Sequence, residues 1–451
     1  MRAKRVAIVG GGIAGVTAAW EIARGGGGAE VTLFEASSRL GGTVETVRRD
    51  GFVVECGPDG WVSEKPWLRE LAAELGLGEE LIYSNDATRV TYILRDGRLV
   101  AMPDGMRMMV PTDLGVLEGS ELFSEEAKRA YAAEPGRAEE LRRAAPEGDE
   151  SVASFVERHF GGEVLRTLAA PLLSGVFGGD VGKLSVRAVM APFVQMERVH
   201  GSLITALRAR GSVGVQPIFT SLRCGLEVLI ERMVAGIPEE WVRLGHRVRA
   251  VEKSASGWRV DGVEFDDVVM AVPAHVARPL LAAVDGRFGP LMAMEESSAV
   301  IAAFGFQENF ELPQGFGFLV PQGEDNSLLA GTFADQKFSG KCPEGMRLVR
   351  AFFGGKDEPA DDVRTDEELA GEALGDLVKI VGSLPKAVFS VVRRWPRSLP
   401  QYGVGHLDRM SAVFEVAAGL PGLHLVGNAY RGVGLPDLVR DARGVGVRVG
   451  A

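Results

Sequence analysis

The run Gly10-Gly11-Gly12-Ile13-Ala14-Gly15 constrains this chain more than any other feature. It lies between an apolar strand pattern at Arg5 to Val9 and a helical pattern at Ala14 to Arg24. Gly10 permits a tight turn out of the strand, Gly12 lets a pyrophosphate approach the backbone, and Gly15 lets helix and strand pack closely. The helix start offers unpaired N–H groups and a positive dipole end to phosphates. A second strand pattern, Val31 to Phe34, leads to Glu35, where a carboxylate can bind both ribose hydroxyls of a dinucleotide. The first 35 residues therefore predict one βαβ unit. No second GxGxxG follows, so no separate nicotinamide site is expected. The four glycines Gly25 to Gly28 close the helix and read as a tolerant surface connection.

At 451 residues with 46% apolar side chains, the chain is long enough for two or three interleaved domains. Fifty basic against sixty-one acidic residues give a net charge of -11 without a basic run, which excludes nucleic acid as an expected partner. Cys56, Cys224 and Cys342 are odd in number and far apart, which fits neither a metal site nor a disulfide framework and suits a reducing cytoplasm. His159, His200, His246, His275, His406 and His424 show no metal or triad spacing, and each reads as a surface or satisfied core residue. No metal is expected. No signal peptide is read before the first strand, and the uncharged stretch Thr167 to Gly179 is too short to span a bilayer. A cytoplasmic location follows, with peripheral attachment to the membrane's cytoplasmic face left open.

From Glu64 to about Gly211 the pattern is mainly helical, with a hairpin at Arg89 to Ala101 turning at Asp96-Gly97. The charged segment Glu118 to Glu150 reads as helix or surface loop rather than core. A second α/β signature begins near Leu226: a helix, a strand at His246 to Lys253, a hairpin at Trp258 to Val263 and a strand at Asp267 to Val272. Phe304 to Phe306, Phe316 to Val320, Ser327 to Phe333 and Leu348 to Phe353 then suggest a mostly antiparallel sheet facing a cavity. A strand at Gly422 to Gly427 and a helix at Leu435 to Arg443 close the chain. The fold class read from this order is α/β. A Rossmann-like domain is assembled from 1–83, 211–275 and 395–451, with a helical domain (84–210) and an antiparallel-sheet domain (276–394) inserted.

Arg39-Leu40-Gly41-Gly42, followed by Thr43, extends the acidic position in the way that separates flavoprotein oxidases and desaturases from plain nicotinamide dehydrogenases. Four further stretches carry a resemblance. They are Gly57-Pro58-Asp59-Gly60; Ser174-Gly175-Val176-Phe177-Gly178-Gly179-Asp180 with Leu184-Ser185; Gly315 to Pro321; and Gly427-Asn428-Ala429-Tyr430-Arg431-Gly432-Val433-Gly434. In order, from Val6 to Val439, the chain resembles the protoporphyrinogen oxidases, most of all the bacterial oxygen-dependent ones.

That resemblance implies an FAD enzyme of porphyrin and heme biosynthesis that oxidises protoporphyrinogen IX, or alternatively coproporphyrinogen III, with oxygen as acceptor and peroxide as product. Six electrons leave the macrocycle, two at a time. Flavin contacts carried over fall on Gly10 to Gly15, Glu35, Ala36, Arg39, Gly41, Gly42, Thr43, Gly57 to Gly60, Val248, Trp395, Gly427, Asn428, Val433, Gly434 and Leu435. Independently, N–H groups at the Gly432 to Gly434 turn suit the negative charge a reduced flavin gathers near N1 and its C2 carbonyl. The resemblance also places Arg89 on a substrate propionate, Leu319 and Phe352 about a pyrrole face, and the backbone at Gly175 on a pyrrole N–H. As residues alone, Leu319 and Phe352 suit a core equally well. No catalytic side chain is assigned, since the flavin N5 takes the hydride. Handover of product to the next porphyrin-pathway enzyme is a further implied partnership. The chain departs from the family at Cys224-Gly225-Leu226, at Pro436 and in a short Glu118 to Glu150 region, which bears on substrate access and membrane attachment more than on the cofactor.

Two competing classes remain. A related oxidase acting on an amine or a carotenoid accounts for the FAD motifs but poorly for the middle stretches, and the absence of a cysteine near the last glycine loop removes a covalent flavin link. A non-catalytic relative, similar to GDP-dissociation inhibitors, need not keep the glycine fingerprint with Glu35.

Overall fold

A computed structural model describes residues 2–210, 217–307, 310–355 and 363–450. Apolar residues at Val6, Ala7, Ile8 and Val9 make β1 (Arg5–Val9) a strand covered on both faces, which suits a central parallel position. It turns at Gly10 into α1 (Ile13–Gly25) and returns as β2 (Glu30–Phe34). Three much later segments complete the sheet. The order is Val242–Arg243, β2, β1, Asp267–Met270 and Leu423–Leu425, all parallel. The chain thus leaves this sheet and comes back to it three times.

The helical region between residues 84 and 210 has its own core, including Phe155, Phe160, Leu168, Leu173 and Leu203. It contains α2 (Ala170–Phe177), which carries Gly175. The Glu118 to Glu150 segment does form helices, at Glu125–Ala133 and Ala138–Ala144, but contrary to its reading as outside the core Leu122, Phe123, Tyr131 and Leu141 are buried there, together with Glu134. Burial of Glu134 is tolerated because Ser202 Oγ, the Leu203 N–H and His159 Nδ1 all engage its carboxylate. His159 is the satisfied core histidine expected, its second nitrogen lying 3.0 Å from Glu197.

A seven-stranded sheet forms the third layer. Its strands are β3 (Thr91–Arg95), β4 (Arg98–Ala101), β5 (Glu296–Phe306), β6 (Gly317–Leu319), β7 (Ala330–Phe333), β8 (Arg347–Gly355) and β9 (Phe389–Pro400). The spatial order is β9-β5-β8-β7-β6-β3-β4, antiparallel throughout except for the β6–β3 pair. The β3–β4 hairpin turns through Asp96 and Gly97, both at positive φ, as its sequence requires. One face, with Phe304, Phe318, Phe333, Val349 and Phe353, is covered by α3 (Asp366–Val381). Alternation puts Leu319, Ala330, Phe352 and Ile301 in one cross-strand row on the opposite face.

Several sequence expectations change. Phe304 to Phe306 is only the end of β5, whose small residues Ser297, Ser298, Ala299, Ala302 and Ala303 conceal the strand. β9 was not foreseen, and the boundary placed at 394/395 falls inside it, while the β3–β4 hairpin of the 84–210 segment joins the sheet expected from 276–394. The strand read at His246 to Lys253 is a strand only from Val251 onward. Upstream its donors go elsewhere: the His246 N–H to the Glu35 carbonyl, and the Arg249 and Ala250 N–H groups to Asp261 Oδ1. The boundary expected at 210/211 lies at the edge of the described residues. At the C-terminus, α4 (His406–Ala418) precedes the last parallel strand, and the final helix, α5 (Leu435–Gly450), runs seven residues beyond Arg443 to pack along α1.

Candidate functional site

The glycine turn has the geometry its sequence implies. Gly10 sits at φ +109°, and a Cβ on Gly15 would stand 1.9 Å from the Gly10 carbonyl oxygen, so helix and turn touch through backbone. A Cβ on Gly12, by contrast, would meet nothing within 4 Å. The Gly12, Ala14 and Gly15 N–H groups have no protein acceptor among the described residues, while Ile13 takes part in the bridge that pairs Gly12 with Gly41. Open space beside a set of unpaired donors at a helix N-terminus is what a pyrophosphate needs. Glu35 is held from two sides, accepting from the Gly11 N–H (2.7 Å) and the Ser37 N–H (2.7 Å), while Ala36 beside it is exposed. Val248 is buried against the group of residues that includes Phe34.

The Arg39 to Thr43 turn closes on this loop, with the Gly41 N–H donating to the Gly11 carbonyl. The Arg39 guanidinium is spent largely on its own turn, donating to Leu40, Gly42 and Val44 carbonyls, and it lies over the Trp395 ring. Trp395 in turn donates from Nε1 to the Cys56 carbonyl, next to Gly57.

Asp59 of the Gly57 to Gly60 stretch is ion-paired rather than free. Lys337 Nζ contacts both its oxygens at 3.0 Å and Arg350 Nη1 lies 3.2 Å away. Burial pushes the Asp59 carboxyl up, but the two cations outweigh it and hold the group at about 2. Arg350 is 2% exposed and also donates to the Gly57 carbonyl. Sequence reading missed both cations, although period two along Leu348 to Phe353 puts Arg350 on the Phe352 face.

Against the inserted sheet, a Cβ on Gly175 would stand 3.4 Å from Leu319, and Ala330 joins Leu319 to Phe352 in register. Leu319 and Phe352 are half-buried on the face away from α3, unlike their fully buried neighbours Phe318 and Phe353. No hydrogen bond or ion pair joins Arg89 to this row among the described residues. It lines an open groove of about 620 Å³ with Arg98, Met102 and Val116, and its guanidinium is 3.6 Å from the exposed Asp104.

At the far end of the sequence, Gly427 has φ +134° and Asn428 donates from Nδ2 to the Ser398 carbonyl. The Val433, Gly434 and Leu435 N–H groups have no acceptor among the described residues, and α5 begins there. This second set of unpaired donors fits the pyrimidine end of a flavin. Lys65, from the segment after Gly60, pairs with Asp437 in the first turn of α5 and so ties two of these stretches together. His406 departs from the expectation of a satisfied histidine. Burial pushes its imidazole down to about 4, and Nδ1 is buried without a partner. Among the described residues no group of His, Cys, Asp and Glu could hold a metal ion, and no helix is long and apolar enough to cross a membrane.

A split parallel sheet with one glycine fingerprint, a closing glycine loop and an inserted antiparallel sheet define a flavoprotein oxidoreductase with FAD as its cofactor. The model of the family described as flavin containing amine oxidoreductase matches residues 13–449, and the chain belongs to that family. It is 33% identical to the coproporphyrinogen III oxidase of Bacillus subtilis (strain 168), over 98% of this chain and 96% of that one. It is 28% identical to the chloroplastic protoporphyrinogen oxidase of Oryza sativa, over 96% and 86%. A solved structure from Exiguobacterium sp. 255-15, named as a candidate protoporphyrinogen oxidase, superimposes with TM-score 0.88 at 34% identity, covering 100% of this chain and 99% of that one. Cyclohexylamine oxidase from Brevibacterium oxydans shares the fold at 18% identity and TM-score 0.73.

Proposed function

We propose that this chain oxidises coproporphyrinogen III to coproporphyrin III, taking six electrons in three two-electron rounds, each reducing one oxygen molecule to hydrogen peroxide. The single observation that carries the reading is identity of 33% along nearly the whole chain to a relative bearing that activity in its name. Bound FAD supplies the acceptor for the hydride leaving a methylene bridge. The protein's part is positional: the row Leu319, Ala330 and Phe352 offers an apolar platform, and Gly175 packs close to Leu319 at one end of it. Protoporphyrinogen IX, the substrate first expected, has vinyls in place of two propionates, and the rice relative supports it as the second reading. Aerobic assays with each porphyrinogen, followed by porphyrin fluorescence and peroxide release, should show a higher kcat/KM for coproporphyrinogen III. The reverse preference would replace this reading with the second, and no oxidation of either would remove both.

We assign Arg89 to a substrate propionate. Remote from the reacting carbon, such a pair is equally strong in ground and transition states, so its loss raises KM and spares kcat. Arg89→Ala is expected to raise KM about tenfold to hundredfold, the range of one charge-assisted hydrogen bond, with Arg89→Lys between. If the side chain serves only its long contact to Asp104, steady-state kinetics at matched FAD occupancy will show KM within about twofold.

A further inference from the structure

Residues 401–406 bridge two parts of the site that the sequence keeps far apart. Toward the helical region, Gln401 donates from Nε2 to the Phe177 carbonyl (2.6 Å) at the end of α2, and the Ser185 N–H donates to the Tyr402 carbonyl (2.7 Å). Toward the last glycine loop, the Tyr402 hydroxyl donates to the Asn428 carbonyl. The His406 ring stacks on Tyr402 with centroids 3.9 Å apart and planes 12° from parallel. His406 Nε2 lies 3.1 Å from the Tyr430 carbonyl, and since a carbonyl only accepts, that nitrogen carries the proton. The neutral ring then leaves Nδ1 as a bare lone pair, buried without a partner. An orphaned buried polar atom is unfavourable, so this tautomer is imposed by the loop rather than by the ring's own satisfaction.

We infer that Tyr402 and His406 are positioning residues for the flavin. They turn the Asn428 and Tyr430 carbonyls away, so that the next N–H groups, those of Val433, Gly434 and Leu435, are presented together. Carbonyl oxygens facing the pyrimidine end would repel the charge that reduction places there, whereas N–H groups attract it. The pair therefore makes the flavin easier to reduce. Because the same segment holds α2, it also ties the helix bearing Gly175 to the flavin loop. The inference rests on the flavin assignment and not on the choice of porphyrinogen.

The test is the two-electron reduction potential of the FAD-loaded protein, measured against reference dyes, together with the FAD dissociation constant. Tyr402→Phe keeps the stacked ring and removes the hydroxyl. His406→Phe keeps a ring and removes the donor, and His406→Gln restores an N–H able to reach the Tyr430 carbonyl. Tyr402→Phe and His406→Phe should each move the oxidised-to-reduced equilibrium about tenfold toward the oxidised form, about 30 mV more negative. His406→Gln should stay within about threefold of the parent. Potentials of Tyr402→Phe and His406→Phe equal to the parent's at full FAD occupancy would overturn the inference. So would two folded variants that bind no FAD at saturating cofactor, because the pair would then build the site without tuning it.

Discussion

Alanine at Gly15 is expected to weaken FAD binding about a hundredfold or more and to destabilise the apoprotein as well. Its Cβ would stand 1.9 Å from the Gly10 oxygen and 3.3 Å from Ala271, so α1 must move off the turn and carry its unpaired N–H groups with it. Misplacing two charge-assisted bonds of about 1.5 kcal/mol each accounts for the loss, and overpacking of about 1–3 kcal/mol for the destabilisation. Gly12→Ala separates these two effects. Gly12 has φ -68°, allowed for any residue, and its Cβ would meet no protein atom. The apoprotein should unfold at the parent's urea midpoint while FAD affinity falls, since the methyl occupies the space assigned to the pyrophosphate. Titrating apoprotein with FAD by quenching of flavin fluorescence decides the matter. Parent-like affinity in Gly12→Ala would remove that turn from the cofactor site.

The second large effect is expected at Asp59. Asp59→Asn leaves Lys337 and the buried Arg350 without their shared anion, and breaking such a pair from one side costs about 3–5 kcal/mol. The pH dependence has a definite sign. The folded-state value of about 2 lies below the ordinary 3.8, so the ion pair's contribution is fully present above pH 3.8 and is lost as pH falls toward 2. A displacement of that size corresponds to about 2.5 kcal/mol. Urea midpoints of the two proteins should therefore differ widely at pH 7 and converge below pH 3.8. Removing one cation as well, in Asp59→Asn/Lys337→Met, should recover part of the loss. A constant gap across this range would show that the amide fails for reasons of packing instead of charge.

These residues also mark where sequence reading stopped. Local rules were enough for the glycine turn, because each of its demands is met within the six residues from Gly10 to Gly15 and the strand and helix that flank them. The same holds for the Asp96-Gly97 hairpin, where two positive φ values suit those residue types. The fold class was legible because the apolar periods switch repeatedly between strand and helix, and the middle stretches carried the family resemblance. β5 was largely hidden, since its alanines and serines earn their place by close packing between two neighbouring strands rather than by strand preference.

Long-range partnership was beyond any local rule. Asp59 meets Lys337 and Arg350 across almost three hundred residues, and nothing near it announces that its charge is already matched. Tyr402 and His406 carry no motif chemistry, and their part emerges only when Asn428 and Tyr430 fold back onto them. The sequence by itself determined that the Gly10 to Gly15 turn would form between strand and helix beside Glu35, because backbone freedom and one carboxylate suffice to specify it. Only the tertiary structure decided which buried charges balance and which carbonyls of the second glycine loop are held by Tyr402 and His406, because both depend on pairing groups that the chain holds far apart.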